Sequence, residues 1–488
     1  MTTEKKLPRK SPETLGVSSK GILAFLEGAE AASLELHGLM VVKSGNVVAE
    51  GWAAPYAPNY PHILYSLSKS FCSTAAGLAI AEGFFTLDDK VASFFPEELP
   101  SVVSPHLSAM KVRHLLAMCT GHVDEKYDPM EGEDGNRWIK GFLAKPPEKE
   151  PGTHFMYNSI ATYMVSAIVQ KTTGKTLMEF LQPRLFAPLG IVSASWDSCP
   201  HGVNLGGWGM SATTEDIAKL GQLYLQKGIW EGARVLPGGW TEEATRCHIS
   251  NGDTPDSDWA QGYGFQFWRS RHGAYRGDGA FGQYCIVMEA QETVVAITSN
   301  VGDMQAVLNL VWSHLLPAVS SGKITTDDSN GLLSVKLASL LVTPPEGKAT
   351  SETAKRVSGK NYVFTADEKN NAGKIETIRC SFGEKETVLI INDGDGECRV
   401  VCGNGDWAES ETTFRSAFKN RTPQPLKVSA FGVWTSKNVF TIKLCYLEAL
   451  FSPTLALEFD ENRLSFELKG NLGFVSSDGS KATGAFEV

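Results

Sequence analysis

Ser66 and Lys69 stand three residues apart in Leu64-Tyr65-Ser66-Leu67-Ser68-Lys69-Ser70-Phe71. The stretch that follows, Cys72 to Glu82, is rich in Ala, Leu and Ile and reads as helix. On a helix, residues i and i+3 share a face, so the serine hydroxyl and the lysine amine can meet. A serine hydroxyl is a poor nucleophile until a neighbouring base takes its proton. A desolvated lysine can serve, because burial disfavours its charged form. By itself the tetrapeptide also fits an exposed helix turn. Its surroundings argue otherwise, since Leu64, Leu67, Phe71, Ala75, Ala76, Leu78, Ala79 and Ile80 leave almost no charge before Glu82. A helix apolar nearly all round is a buried one. Ser66 would then sit near its N-terminus, where backbone N–H groups without helical partners can stabilise an oxyanion.

Two further segments carry groups suited to such a site. Pro151-Gly152 marks a turn, and Tyr157-Asn158-Ser159 opens the helical run Ile160 to Val169. A tyrosine just ahead of a helix can present its hydroxyl to a cleft, although an Asn or Ser there is as often a helix cap. Tyr275-Arg276-Gly277-Asp278-Gly279-Ala280-Phe281-Gly282-Gln283-Tyr284 precedes the apolar run Cys285 to Met288. Glycine before a strand permits close backbone approach to a ligand, and it also suits an ordinary hairpin turn.

The remaining sequence must supply the elements that position these groups. The chain has 488 residues, 42% of them apolar, enough for two or three domains with a sizeable core. Its formal net charge of −10 argues against a nucleic-acid-binding surface. The polar stretch Met1 to Ser19 has no apolar segment after it, so no secretory signal is expected. No apolar run reaches membrane-spanning length. Nine dispersed cysteines suit a reducing compartment, and a cytoplasmic location is expected. Cys398-x-x-x-Cys402 has no histidine neighbours, so no metal is expected there, and the serine–lysine chemistry of the first segment calls for no cofactor. Asp393-Gly394-Asp395-Gly396 lacks the later ligands of a calcium loop and reads as a hairpin turn.

Helical spacing runs from Met304 to Val319, and Gly331 to Val342 reads as one more helix. Pro344-Pro345-Glu346-Gly347 and the polar residues to Lys360 have linker composition. Beyond them the period becomes two, as in Val439–Leu447, Thr454–Phe459 and Leu464–Leu468, with turns expected at Asp393-Gly, Asn404-Gly and Asp478-Gly. The expected organisation is residues 1–343, a linker at 344–360, and an all-β domain at 361–488.

Taken together and in this order, the three segments resemble those of the serine β-lactamase-like superfamily. That superfamily includes class C β-lactamases, D-alanyl-D-alanine peptidases, D-aminopeptidases and family VIII esterases. Val112-Arg113-His114-Leu115-Leu116-Ala117-Met118-Cys119-Thr120-Gly121, Gly206-Gly207-Trp208-Gly209 with Thr213 to Lys219, and Gly262-Tyr263-Gly264-Phe265-Gln266-Phe267-Trp268 extend the resemblance over about residues 10 to 320. It implies Ser66 as the acylated nucleophile, with Lys69 and Tyr157 moving its proton. It places Ser159 where the Y-x-N motif has its asparagine, with Asn158 beside it in the polar cleft. The third motif, K-T-G or H-x-G in the family, falls on Gly277, Asp278 and Gly279. The lysine that helps hold a substrate carboxylate in β-lactam-processing relatives is therefore missing, though Arg276 stands next to the motif. The oxyanion hole implied is the backbone N–H of Ser66 and of Ala280.

The fold implied is α/β (α+β): an antiparallel sheet flanked by helices, an all-helical subdomain beside it, and a lipocalin-like β-barrel after it. The reaction implied is two-step acyl transfer on a small ester, amide or peptide, as in an esterase or a D-aminopeptidase. A β-lactamase or D,D-peptidase activity is an alternative. So is a non-catalytic penicillin-binding-like scaffold, although retention of Ser66, Lys69 and Tyr157 together speaks against it. The number of subunits is left open.

Overall fold

The computed structural model of the chain describes residues 3–124, 138–320, 329–364, 375–393, 396–414, 425–470 and 480–486. It forms two compact units. One takes in Met1–Gly51, Pro61–Ser299 and Asp303–Ser339; the other takes in Trp52–Tyr60, Asn300–Gly302 and Leu340–Val488.

The first unit is built on a six-stranded sheet. Its strand order is Asn46–Trp52, Glu35–Lys43, Thr293–Asn300, Gln283–Met288, Tyr275–Gly279, Trp268–Arg269. Strands Gln283–Met288 and Thr293–Asn300 are buried along their whole length, which is why they read as almost unbroken apolar runs. Helix Thr214–Leu225 lies against Gln283–Met288 and Glu35–Lys43. Helix Ser19–Ala31 packs on the helical stretch Met304–Ser320. Beside the sheet, helix Ser68–Ala81 packs on helix Ser159–Thr173, which in turn packs on helix Val112–Leu116.

Helix Ser68–Ala81 is buried from Ser68 to Ala79, as its composition implied. The resemblance makes Gly262–Trp268 the strand ahead of the third motif, but only Trp268–Arg269 joins the sheet. Gln266 adopts a left-handed φ of 65° and turns the chain there. Its side chain donates to the carbonyls of Leu115 (3.2 Å) and Leu116 (2.8 Å) and accepts from Thr162 (2.8 Å). Ser70 Oγ and Ser73 Oγ donate to the carbonyls of Gln266 and Phe265. One turn thus ties three helices together.

In the second unit, nine of the ten strands from Asn361–Val363 to Ser480–Phe486 close into a barrel, and Trp407–Thr412 pairs with Leu426–Trp434 outside the closure. The closure is the parallel pairing of Glu397–Asn404 with Leu426–Trp434. A lipocalin barrel has eight strands, so the closed all-β domain is met with one strand more. Strands Thr454–Asp460 and Arg463–Lys469 alternate buried and exposed residues, as their period of two implied. Val439–Tyr446 does not alternate, being buried on both faces past its first residue. Its outward Cys445 is covered by Ala53, Tyr56 and Val342.

The segment after the first unit differs from expectation. The helix runs Ser329–Ala338 rather than 331–342, because the backbone of 340–342 pairs with Ala54 instead: Ala54 donates to Leu340 at 2.9 Å and Val342 donates to Ala54 at 2.8 Å. The stretch with linker composition contains helix Glu352–Val357, and Lys348 exchanges two backbone hydrogen bonds with Trp434. The expected turn at Asn404-Gly405 joins two strands, with Gly405 at φ 79°. The turns expected at Asp393-Gly394-Asp395-Gly396 and Asp478-Gly479 fall wholly or partly outside the described residues. All nine cysteines are free thiols.

Candidate active site

Ser66 lies in the short 3₁₀ turn Tyr65–Leu67 that runs directly into helix Ser68–Ala81. The turn is pinned from one side by strand Met210–Ala212. Leu64 N–H donates to the Met210 carbonyl (2.8 Å), and Met210 N–H donates to Ser68 Oγ (3.1 Å). Ser68 Oγ in turn donates to the Tyr65 carbonyl (2.6 Å).

Lys69 is 1% exposed, and its Nζ reaches three oxygens: Ser66 Oγ at 3.0 Å, Ser159 Oγ at 3.1 Å and the Gly207 carbonyl at 2.6 Å. A carbonyl can only accept, so one Nζ–H points at Gly207. The hydroxyls of Ser66 and Ser159 can each donate or accept. Gly207 was not singled out for this contact. The signal for it was the Gly206-Gly207 pair, because a Cβ at Gly207 would lie 2.6 Å from the Ser159 carbonyl. Only glycine lets that chain cross helix Ser159–Thr173 closely enough to present its carbonyl to Lys69.

Tyr157 places its ring centroid 4.8 Å from Lys69 Nζ. Met118 sets the path of the chain around it, accepting from Met156 N–H with its carbonyl (2.9 Å) and from Asn158 N–H with its sulfur (3.2 Å). That is the work of the Val112–Gly121 segment. The Tyr157 ring stacks on Trp268 (5.3 Å, 20°) and meets Tyr263 edge to face (6.3 Å). Asn158, expected in the polar cleft, has its Oδ1 occupied elsewhere. That oxygen caps helix Ser159–Thr173, accepting from Ile160 and Ala161 N–H at 2.9 and 3.1 Å. Ser159 is the member of the pair that meets Lys69.

Gly277, Asp278 and Gly279 are part of strand Tyr275–Gly279, and the turn comes after them at Ala280–Gly282. The two glycines permit close approach to the nucleophile turn. A Cβ at Gly277 would lie 2.5 Å from Leu67 and Ser70, and one at Gly279 would lie 2.0 Å from the Leu64 carbonyl. Arg276 and Asp278 alternate with them. Arg276 is wholly buried, and its Nε and Nη2 sit 2.9 and 2.8 Å from Asp278 Oδ2. Its Nη1 donates to Ser270 Oγ (2.7 Å) and the Asp258 carbonyl (2.9 Å). Burial pushes the Asp278 carboxyl up, against the pull of Arg276, Lys69 and a hydrogen bond from the Trp268 side chain. Arg276 is not an available cation for a substrate carboxylate, and Asp278 is not on a solvent-facing turn.

A test of that placement follows. Removing one partner of a buried ion pair costs about 3–5 kcal/mol. Asp278→Asn is therefore expected to lower the unfolding free energy by about that amount in a denaturant titration. An unchanged midpoint, together with weaker selection of amine-bearing substrates, would instead put the carboxylate in the cleft.

Cys72 lies one turn past Lys69, but burial pushes its thiol well above the ordinary range. It is not a competing nucleophile. Among the described residues no group of three or more His, Cys, Asp or Glu is placed to hold a metal ion, and no helix is long and apolar enough to cross a membrane.

Similarities to known proteins bear on the family and the fold. A 6-aminohexanoate-dimer hydrolase from Paenarthrobacter ureafaciens is 28% identical over 216 residues, covering 42% of this chain and 55% of that protein. The chain thus spans about half the length of that curated relative. A structure from Bacillus anthracis, provisionally named a 6-aminohexanoate-dimer hydrolase, superposes with a TM-score of 0.53 at 19% identity over 65% of this chain and 88% of that one. The octameric penicillin-binding protein homologue from Pyrococcus abyssi has a TM-score of 0.50 at 14% identity, over 95% of this chain and 99% of its own. At these identities the two structures speak for the fold. The family model for Beta-lactamase matches residues 27–310, a span that contains Ser66, Lys69, Tyr157, Ser159, Gly207 and Asp278. With more than half its length inside that match, the chain belongs to the Beta-lactamase family.

Proposed function

We propose that the protein is a serine hydrolase that acts through an acyl-enzyme on small esters or amides. The family and the curated relatives point to serine hydrolases of the β-lactamase type. The observation that carries the reading is the position of Lys69 Nζ, within hydrogen-bond reach of Ser66 Oγ, Ser159 Oγ and the Gly207 carbonyl in a buried setting. Ser66 attacks the substrate carbonyl as Lys69 takes its proton. Tyr157, held against Trp268, hands its proton to the leaving group and is reprotonated by Lys69, which returns both groups to their starting state before deacylation. The N–H groups of Ser66 and Ala280 receive the oxyanion. Water then repeats the sequence on the acyl-enzyme and releases the acid and free Ser66.

Substrate choice follows from the third motif. The residue in the place of its lysine is Gly277, and the nearby cation Arg276 is buried against Asp278. A substrate carboxylate there would find no cation in the motif. This disfavours a β-lactam or D,D-peptide substrate. It favours a neutral ester, or an amide that carries no carboxylate. The nine free thiols fit a reducing, cytoplasmic compartment.

The test is covalent labelling with a fluorophosphonate, followed by turnover of p-nitrophenyl acetate and butyrate, D-aminoacyl amides, the linear dimer of 6-aminohexanoate and a chromogenic cephalosporin. A hydrogen bond to a charged group contributes about 1.5–3 kcal/mol, so the cephalosporin is expected to trail the best ester by roughly 10- to 100-fold in kcat/KM. Cephalosporin turnover equal to the best ester would overturn the substrate reading. Absence of labelling and of all turnover would favour a binding scaffold.

A further inference from the structure

Two residues of the first unit stand out for backbone conformation beside the proposed oxyanion hole. Tyr65, immediately before Ser66, has φ 47°, and Phe281, immediately after Ala280, has φ 64°. A side chain with a Cβ avoids this left-handed region. Such strain persists where the surroundings over-determine it, and it gathers at functional sites. Here the two strained residues touch. Their rings meet edge to face, with centroids 5.9 Å apart and planes at 76°. Edge-to-face contact sets the positive rim of one ring against the negative face of the other, so it fixes orientation as well as distance.

Each side has its own anchor. Ser68 Oγ holds the Tyr65 carbonyl, and Met210 holds Leu64 and Ser68. On the other side, Ser299 Oγ lies within hydrogen-bond reach of the carbonyls of Phe281 (2.9 Å) and Gly282 (2.7 Å), between which its one proton is shared, and Gly282 N–H donates to Gly279 (3.1 Å). Between the two, the Cβ that Gly279 lacks would stand 2.0 Å from the Leu64 carbonyl. Two separately anchored segments, one ending at Ser66 and one at Ala280, are thus brought into backbone contact and bridged by one ring pair.

We infer that the Tyr65–Phe281 pair is a clasp that aligns the backbone N–H groups of Ser66 and Ala280 on one point, making both aromatic residues positioning residues for the oxyanion hole. The inference rests on the acyl-transfer reading above. An oxyanion donor acts only from the place where charge develops, and losing one donor outright costs 10²–10³ in rate. A donor moved off that point loses part of the same effect.

The test uses the full chain with p-nitrophenyl butyrate as substrate. A second probe is an alkylboronic acid, whose tetrahedral serine adduct presents an oxygen to the hole. Tyr65→Leu and Phe281→Leu are each expected to lower kcat/KM by about 10- to 100-fold, with the loss in kcat rather than KM, and to weaken the boronate by a similar factor. The double variant should be no slower than the worse single one, because contacting residues that share one task are not additive. Tyr65→Phe and Phe281→Tyr keep the rings and should stay within about threefold of wild type, well inside one 1.36 kcal/mol decade of rate. If the leucine variants do not fold, loss of activity in these two ring-preserving variants overturns the clasp. Leucine variants with wild-type kcat, losses that multiply in the double variant, or unchanged boronate binding would also overturn it. Ser66→Ala, run alongside, separates the two levels. Turnover retained in Ser66→Ala defeats the acyl-enzyme reading itself. Turnover lost there but intact in both leucine variants defeats the clasp alone.

Discussion

Ser66→Ala is expected to lose turnover by about 10⁴-fold or more and to lose fluorophosphonate labelling entirely, with the fold intact. The expectation rests on how little else changes. Only one hydroxyl is removed, and its partner Lys69 keeps Ser159 Oγ and the Gly207 carbonyl within hydrogen-bond reach. The turn itself is held by Ser68 and Met210 rather than by Ser66. The melting temperature should therefore stay near that of wild type. No other hydroxyl takes over easily. Ser159 reaches the same lysine at 3.1 Å, but it begins helix Ser159–Thr173 and is not the residue that follows the strained Tyr65. Peptide mass spectrometry of the labelled wild type decides the point. A label on Ser159, or labelling retained in Ser66→Ala, would show that the nucleophile is another residue.

The groups around this serine differ in how far the sequence disclosed them. Ser66 and Lys69 were legible because helical spacing is rigid: three residues on a buried helix leave the two side chains on one face. Motif position brought both Ser159 and Asn158 to the cleft, and of the two it is Ser159 that meets Lys69. The physical reason is that Asn158, at the N-cap, satisfies the first N–H groups of the helix with its own amide oxygen. The contact from the Gly207 carbonyl was not legible. A backbone acceptor has no side chain to mark it, and Lys69 and Gly207 stand 138 positions apart with no periodicity that brings them together. Arg276 and Asp278 were visible as charged residues in a glycine-rich run, and that run was open to two readings. What decided their fate was the alternation of a strand, which turned both to the face opposite Gly277 and Gly279.

The fold divides in the same way. Buried strand Gln283–Met288 and helix Ser68–Ala81 followed from local composition. Helix Ser329–Ala338 ended early for a nonlocal reason, the pairing of residues 340 and 342 with Ala54. Cys445 broke the outward polar pattern of its strand because Ala53, Tyr56 and Val342 cover it. In both cases a segment distant in sequence overrode a local pattern.

Replacing Lys69 separates proton transfer from charge. Lys69→Arg keeps a cation of similar reach, yet a guanidinium does not give up its proton at accessible pH. If Lys69 works by taking the Ser66 proton, Lys69→Arg should be nearly as inactive as Lys69→Ala, each down by about 10⁴-fold, the scale on which members of a nucleophile–base unit fail. If the residue supplies only positive charge, the arginine variant should keep much of the activity. Geometry adds a second handicap to the arginine. The Lys69 head is 1% exposed and surrounded by Ser66 Oγ, Ser159 Oγ and the Gly207 carbonyl at 2.6–3.1 Å, a pocket shaped for one nitrogen. A planar guanidinium needs a wider site. Steric failure and chemical failure therefore have to be told apart. Lys69→Met removes the charge and keeps the length, so its stability reports what packing alone demands. The discriminating measurement is rescue by added small amines in Lys69→Ala. Recovery that grows with the concentration of the unprotonated amine as pH rises identifies the missing function as a base. The pH–rate profile of the wild type should then show a limb that belongs to the Lys69–Tyr157 pair jointly, since the two stand 4.8 Å apart from nitrogen to ring centre. A Lys69→Arg enzyme with more than about a tenth of wild-type kcat, one 1.36 kcal/mol step, would overturn the proton-transfer role and leave the lysine as a fixed charge.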